Sequence, residues 1–126
     1  MSALDHIGFA VTNYERSRAF YDAALGALRL KCLTEFEVDG ERHAGYGAKR
    51  PDFWISSGAK QRGATHVAFT AKSRAEVGAF HSIALANGGR DNGAPGLRPH
   101  YHEHYFGAFV FDPDGNNIEA VCHSQE

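Results

Sequence analysis

Two copies of one pattern constrain this chain more than any single motif. Residues 6–25, "HIGFAVTNYERSRAFYDAAL", align without gaps on residues 66–85, "HVAFTAKSRAEVGAFHSIAL", at an offset of 60. His6 meets His66, Phe9 meets Phe69, Ala19–Phe20 meets Ala79–Phe80, and Ala24–Leu25 meets Ala84–Leu85. Two copies are too few for a solenoid, which needs about three or more repeats, so the pattern points to a paired module. With 126 residues, 43% of them hydrophobic and 22% charged, there is chain for one ordinary globular domain.

Each copy opens with a strand. Ile7, Phe9 and Val11 alternate with His6, Gly8 and Ala10, and Val67, Phe69 and Ala71 alternate with His66, Ala68 and Thr70. That period of two puts the bulky apolar residues on one face and the histidine on the other. A helix follows in each copy. The first caps on Asn13, carries Phe20, Ala24 and Leu25, and stops near Gly26. The second starts at Ser73 with Glu76 at capping-box spacing, carries Val77, Phe80, Ala84 and Leu85, and ends at "NGG". These helices should cover the Ile7/Phe9 and Val67/Phe69 faces and leave the histidine faces open. After the first helix, "TEFEVDGERHAGYG" reads as a hairpin turning at Asp39–Gly40, with "DFWISS" as a further strand. After the second, "RDNGAPGLRP" reads as a Gly/Pro-rich loop, and "HYFGAFVF" and "NIEAVC" flank a DPDG turn. The order β-α-β-β-β, twice, gives an α+β fold. Module one spans about 1–58 and module two about 63–126, within a single domain 1–126.

Glu119 sits inside the last apolar run, where an ionised carboxylate costs several kcal/mol unless something positive compensates it. It shares a face with Val121, opposite Ile118, Ala120 and Cys122. If that apolar trio packs on the helices, Glu119 joins His6 and His66 on the open face. Two imidazoles and a carboxylate suit Fe(II) and leave coordination positions free, and Mn, Zn or Ni fit the same ligands. Without a metal, Glu119 should pair with Arg98 or a histidine of "HYHEH".

Other residues carry weaker signals. Tyr101, His102, His104 and Tyr105 lie in a Gly/Pro-marked stretch, where His102 or His104 suits general acid/base work and Arg98 suits an anionic substrate group. A solvated loop explains the same residues. Trp54 is a packing residue or a stacking wall for a planar substrate, and Phe109 can stack on a ligand in the same way. The hairpin can present Glu37 or His43 to the open face. A net charge of −2 gives no basic footprint for nucleic acid. No stretch has the length of a membrane span, and the opening residues lack a signal-like pattern. Two cysteines make no disulfide framework, so the expectation is reduced thiols in a cytoplasmic protein.

The "DHIGFAV…FY" opening, the paired module, the second histidine strand and "FVFDPDGNNIEAV" resemble the vicinal oxygen chelate superfamily of glyoxalases, bleomycin-resistance proteins and extradiol dioxygenases. The resemblance covers nearly the whole chain. It implies a cup-shaped mixed sheet, a half-barrel with helices outside, and His6, His66 and Glu119 as ligands of one divalent metal ion. It also implies a small-molecule substrate bound through vicinal oxygens, glyoxalase/lyase-like or dioxygenase-like chemistry, and a homodimer, sometimes with one site drawn from two chains. Two family alternatives stay open: a metal-free sequestering protein like the bleomycin binders, and an epimerase-like use of Glu119 as a base. The chain departs from the branch patterns. A glyoxalase I would place a fourth ligand, usually glutamate, where Trp54 or its neighbour stands. A ring-cleaving dioxygenase tends to have tyrosine at the position of Phe109. A fosfomycin-type transferase would continue with basic residues after Glu119, where this sequence has only "AVCHSQE".

Overall fold

The computed structural model describes residues 4–58 and 65–126. Module one comprises β1 (Ile7–Ala10), α1 (Tyr14–Gly26), β2 (Lys31–Val38), β3 (Glu41–Gly47) and β4 (Phe53–Ser56). Module two comprises β5 (His66–Thr70), α2 (Arg74–Ala86), β6 (Arg90–Leu97), β7 (Phe106–Phe111) and β8 (Asn117–Cys122). Each module forms its own four-stranded sheet, ordered β1-β4-β3-β2 and β5-β8-β7-β6. The first and last strands of each module pair in parallel, and the remaining pairs are antiparallel. The boundary between the modules, expected between residues 58 and 63, lies outside the described residues.

Local chemistry accounts for these elements. Asn13 and Ser73 have extended backbone, and their side-chain oxygens accept the amides of Arg16 and Glu76. Glu76 itself reaches the Lys72 amide rather than that of Ser73, so the capping box is displaced by one residue. The β2–β3 hairpin turns on Asp39 and Gly40, both with positive φ (52° and 82°), as a two-residue turn matched to strand twist requires.

The helix-side face of each sheet makes the core. Phe9, Phe53, Ile55, Tyr21, Leu25 and Phe20 are buried in module one, and Val67, Phe80, Val77, Val110, Ile118 and Ala120 in module two. Two expected core residues are not buried: Ile7 is 37% exposed and Leu85 38%. Ile7 is the first residue of edge strand β1, and Leu85 lies one position past Ala84, off the buried stripe.

The stretch read as a loop, "RDNGAPGLRP", is largely strand β6. Register shifts between Asp91 and Gly93 and between Gly93 and Gly96 absorb its glycines as bulges, and Pro95 is tolerated because β6 is an edge.

The modules are joined by α1 packing on α2, by an edge-to-face contact of Phe53 with Phe69 (5.1 Å), and by hydrogen bonds to the DPDG turn. The Tyr21 hydroxyl donates to Asp112 Oδ2 at 2.6 Å, and the Thr12 amide donates to Asp114. Asp112 also accepts the amides of Asp114 and Asn116, so the turn is held by carboxylate-to-backbone bonds.

Candidate metal and small-molecule site

Alternation along β5, β7 and β8 places His66, Phe109 and Glu119 on the face of the second sheet away from α2. Phe109 stands directly opposite Glu119 in the ladder, and Ala68 stands beside Glu119 on β5. The small Ala68 and Gly107 leave room around the carboxylate. A Cβ on Gly107 would sit 3.2 Å from Glu119 Oε2 and 3.1 Å from the Tyr105 ring.

Glu119 is 1% exposed. The Tyr105 hydroxyl donates to Oε2, and His66 Nε2 lies 3.3 Å from Oε1. Burial, followed by this hydrogen bond to Glu119, pushes the Tyr105 hydroxyl well above its ordinary pKa, so it remains a donor. On the far side of the imidazole, His66 Nδ1 lies 3.1 Å from the Asn117 carbonyl oxygen. A carbonyl only accepts, so Nδ1 carries the proton and Nε2 turns its lone-pair position toward a carboxylate. Two electron-rich atoms facing each other need a proton shared between them or a metal ion between or beside them.

His6 is oriented in the same way. Its Nδ1 lies 2.7 Å from Asp5 Oδ1, and Arg50 holds the other Asp5 oxygen at 2.6 Å. The hydrogen bond from His6 and then the Arg50 guanidinium hold the Asp5 carboxyl below its usual range. Tying Nδ1 to an acceptor and leaving Nε2 outward is how proteins prepare imidazole for a metal.

The structure therefore brings His66 and Glu119 together and leaves His6 on the first sheet. Among the described residues, no group of three or more His, Cys, Asp and Glu side chains is close enough to hold a metal ion. The donor types and tautomers would suit a divalent cation, and His6, the third ligand expected from the sequence, is not beside His66 and Glu119 within one chain.

Trp54 occupies the place in module one that Glu119 occupies in module two: Gly8 pairs with Trp54 as Ala68 pairs with Glu119. Glycines flank it on both neighbouring strands, and a Cβ on Gly8 or Gly45 would come within 2.9 Å of its side chain. The indole thus lies down against the sheet. It forms part of the lining of a cavity of about 550 Å³ together with His6, Phe36, His43, Pro51 and Ser56. Phe36 stacks on His43 (5.1 Å) and meets Trp54 edge-on (5.7 Å). His43 was among the residues the hairpin offers to this face. Phe36 was missed, although it alternates in step with its neighbours on β2 and stands opposite His43.

Of the stretch 98–105, Tyr105 reaches Glu119. Tyr101 packs on Tyr105, and Tyr105 and His102 both pack against His123. His104 sits beside Glu103, and among the described residues neither His102 nor His104 bonds to Glu119. Arg98 is bonded to backbone carbonyls rather than to Glu119. Both cysteines are free thiols.

A family model described as the Glyoxalase/Bleomycin resistance protein/Dioxygenase superfamily matches residues 3–120. The chain belongs to that superfamily. Among solved structures it is similar to a glyoxalase/bleomycin resistance protein from Albidiferax ferrireducens T118, with 29% identity and a TM-score of 0.81. That match covers 96% of this chain and 99% of the other. Glyoxalase I from Zea mays matches at 23% identity and a TM-score of 0.73, covering 94% of this chain and 45% of its own. A glyoxalase/bleomycin resistance protein/dioxygenase family enzyme from Burkholderia phytofirmans PsJN matches at 14% identity and a TM-score of 0.71. At such identities the last two establish the fold alone. No curated protein matches the chain. Among the described residues, no helix is long and apolar enough to cross a membrane.

Proposed function

We propose that this protein is a small-molecule metalloenzyme whose divalent metal is held by His66 and Glu119 of one chain and His6 of a second copy. The observation that carries this reading is the His66 imidazole, with Nδ1 tied to the Asn117 carbonyl and Nε2 turned toward buried Glu119. His6, held in the same way by Asp5 but on the other module, supplies the reason for a homodimer: the ligand set is complete only when one chain's first sheet faces the partner's second. Fe, Mn, Zn and Ni all suit these donors.

A divalent metal held by these residues would supply Lewis-acid chemistry toward two vicinal oxygens of a substrate and would stabilise negative charge developing on them. The chain's own residues do the rest. Tyr105 holds Glu119 Oε2, which leaves Oε1 as the ligating oxygen. Phe109 and Val121 exclude water from one side of the carboxylate. His102 and His104, in the adjoining segment, are the candidates to move a proton during a glyoxalase/lyase-like or dioxygenase-like step. Trp54 stands where a fourth ligand would otherwise come from, and a neutral indole cannot ligate a metal, so the chain would supply no fourth donor there.

Mixing tests this reading. His6→Ala and His66→Ala proteins should each be inactive, and a mixed dimer regains one intact site. Hemithioacetal isomerisation and catechol-dependent oxygen uptake are the two assays to screen. Turnover that survives His66→Ala, or that is unaffected by thorough chelation, contradicts the reading.

A second reading has its own support. The Phe36/His43/Trp54 cavity suits a flat ligand without any metal, as in a sequestering protein. It predicts ligand affinity that is unchanged by chelation and lost in Trp54→Ala.

A further inference from the structure

Arg98 is built into the second module in a way that the metal ligands do not explain. It follows β6 directly, and its amide donates to the Tyr105 carbonyl at 2.7 Å, which places it across from the tyrosine that holds Glu119. Its side chain curls back over its own strand. Nη1 donates to the Gly96 carbonyl and Nη2 to the Ala94 carbonyl, both at 2.8 Å. The guanidinium carbon lies 5.5 Å from the centre of the Phe109 ring, whose other neighbour is the His66 imidazole.

Glycines make this conformation possible. A Cβ on Gly96 would stand 3.1 Å from Nη1, and one on Gly93 would stand 3.3 Å from Nη2 and 3.0 Å from the Phe109 ring. Gly93, with φ of 152°, adopts a backbone conformation that other residues rarely enter. The bulges that complicate β6 thus create the space the guanidinium fills.

These contacts fix the cation without neutralising it. Arg18, Arg29, Arg42 and Arg50 each meet a carboxylate. Arg16, Arg74 and Arg90 form no such ion pair among the described residues, and Arg74 and Arg90 lie over phenyl rings without the two carbonyl bonds that hold Arg98. Among the described residues, Arg98 forms no ion pair with Asp or Glu. Its partners are two neutral carbonyls and a ring face. Two of its five N–H donors are used, which leaves Nε–H and one hydrogen on each terminal nitrogen. A half-buried, preorganised and uncompensated guanidinium beside an aromatic wall is the arrangement that recognises a planar anion, because its orientation is fixed before the ligand arrives.

We propose that Arg98 is a specificity-determining residue, and that the small molecule taken by this site carries a carboxylate, separate from its chelating oxygens, that docks on the Arg98 guanidinium. This rests on the proposed site at His66 and Glu119 for the position of the chelating oxygens, but not for the anion contact itself.

The test uses 3,4-dihydroxybenzoate and its neutral counterpart 3,4-dihydroxybenzamide, which share vicinal oxygens and differ in charge. Both are titrated calorimetrically into the 126-residue protein, metal-free and with Mn(II) added. A charge-assisted contact should favour the acid by about tenfold or more in both states. Arg98→Gln should reduce the acid to the level of the amide, and Arg98→Lys should keep part of the preference. The wild-type ratio needs no variant to fold, and amide binding reports whether Arg98→Gln is intact. Equal affinity for acid and amide in the wild type overturns the proposal. So does a preference that persists in Arg98→Gln, or a failure of both compounds to bind. If Mn(II) strengthens neither ligand while the Arg98-dependent preference remains, the metal reading fails and the anion contact stands.

Discussion

Replacing Tyr105 with Phe removes one oxygen and isolates one interaction. Glu119 is 1% exposed, and among the described residues the Tyr105 hydroxyl is the donor to its Oε2. A hydrogen bond to a charged group contributes about 1.5–3 kcal/mol, and a buried acceptor left without a donor carries its desolvation cost as well. For a chain of this length, 1.5 kcal/mol corresponds to a melting temperature lower by roughly 6 °C. The same variant frees the carboxylate to rotate, and loss of such an outer partner costs roughly 10–100-fold in metal affinity. The assay is thermal unfolding of metal-free protein at pH 7, paired with Mn(II) and Zn(II) titrations of the folded protein. A variant that melts with the wild type and binds metal equally well would refute the claim that Tyr105 positions Glu119.

Three further expectations follow from other contacts. Tyr21→Phe deletes the bond from α1 to buried Asp112 and should lower the unfolding free energy by about 1.5–3 kcal/mol, read as a lower urea midpoint with an unchanged slope. Gly45→Ala should displace Trp54, because the added Cβ would lie 2.8 Å from the indole; the single tryptophan's emission should shift and the flat-ligand cavity should shrink. The Glu35 carboxyl is held below its ordinary range by the Tyr14 hydroxyl and then by Arg18. Its contribution is therefore present above the unfolded value of about 4.3 and lost as pH falls through the folded one. Glu35→Gln should flatten the acid side of the stability profile, and a midpoint that falls as steeply in the variant as in the wild type would contradict this.

Much of the fold was legible because each module repeats short-range patterns. Period-two alternation put His66 and Glu119 on one face, Asn13 and Ser73 announced the helices, and Asp39–Gly40 announced the hairpin. Strand β6 was hidden because its Gly and Pro residues read as a loop, and only the pairing with β7 shows them as bulges on an edge. The site was legible to the same depth. Alternation states which face a side chain takes within a sheet, and says nothing about how two sheets stand relative to each other. That placement is set by Tyr21 with Asp112, Thr12 with Asp114 and Phe53 with Phe69, contacts between distant residues with no periodic signature. So His6 was identified by its repeat partner but not located. Arg98 was a candidate by type alone, since nothing in sequence shows that Gly93 and Gly96 make room for it.

Metal content is the most direct test of the central claim. Protein purified anaerobically and without a tag, analysed by elemental mass spectrometry beside His66→Ala, should hold close to one equivalent of Fe, Mn, Zn or Ni per chain. That metal should be lost in the variant. Wild-type protein that holds none of these metals, and takes up none when each is added back, would contradict the account and leave the metal-free binding protein in its place.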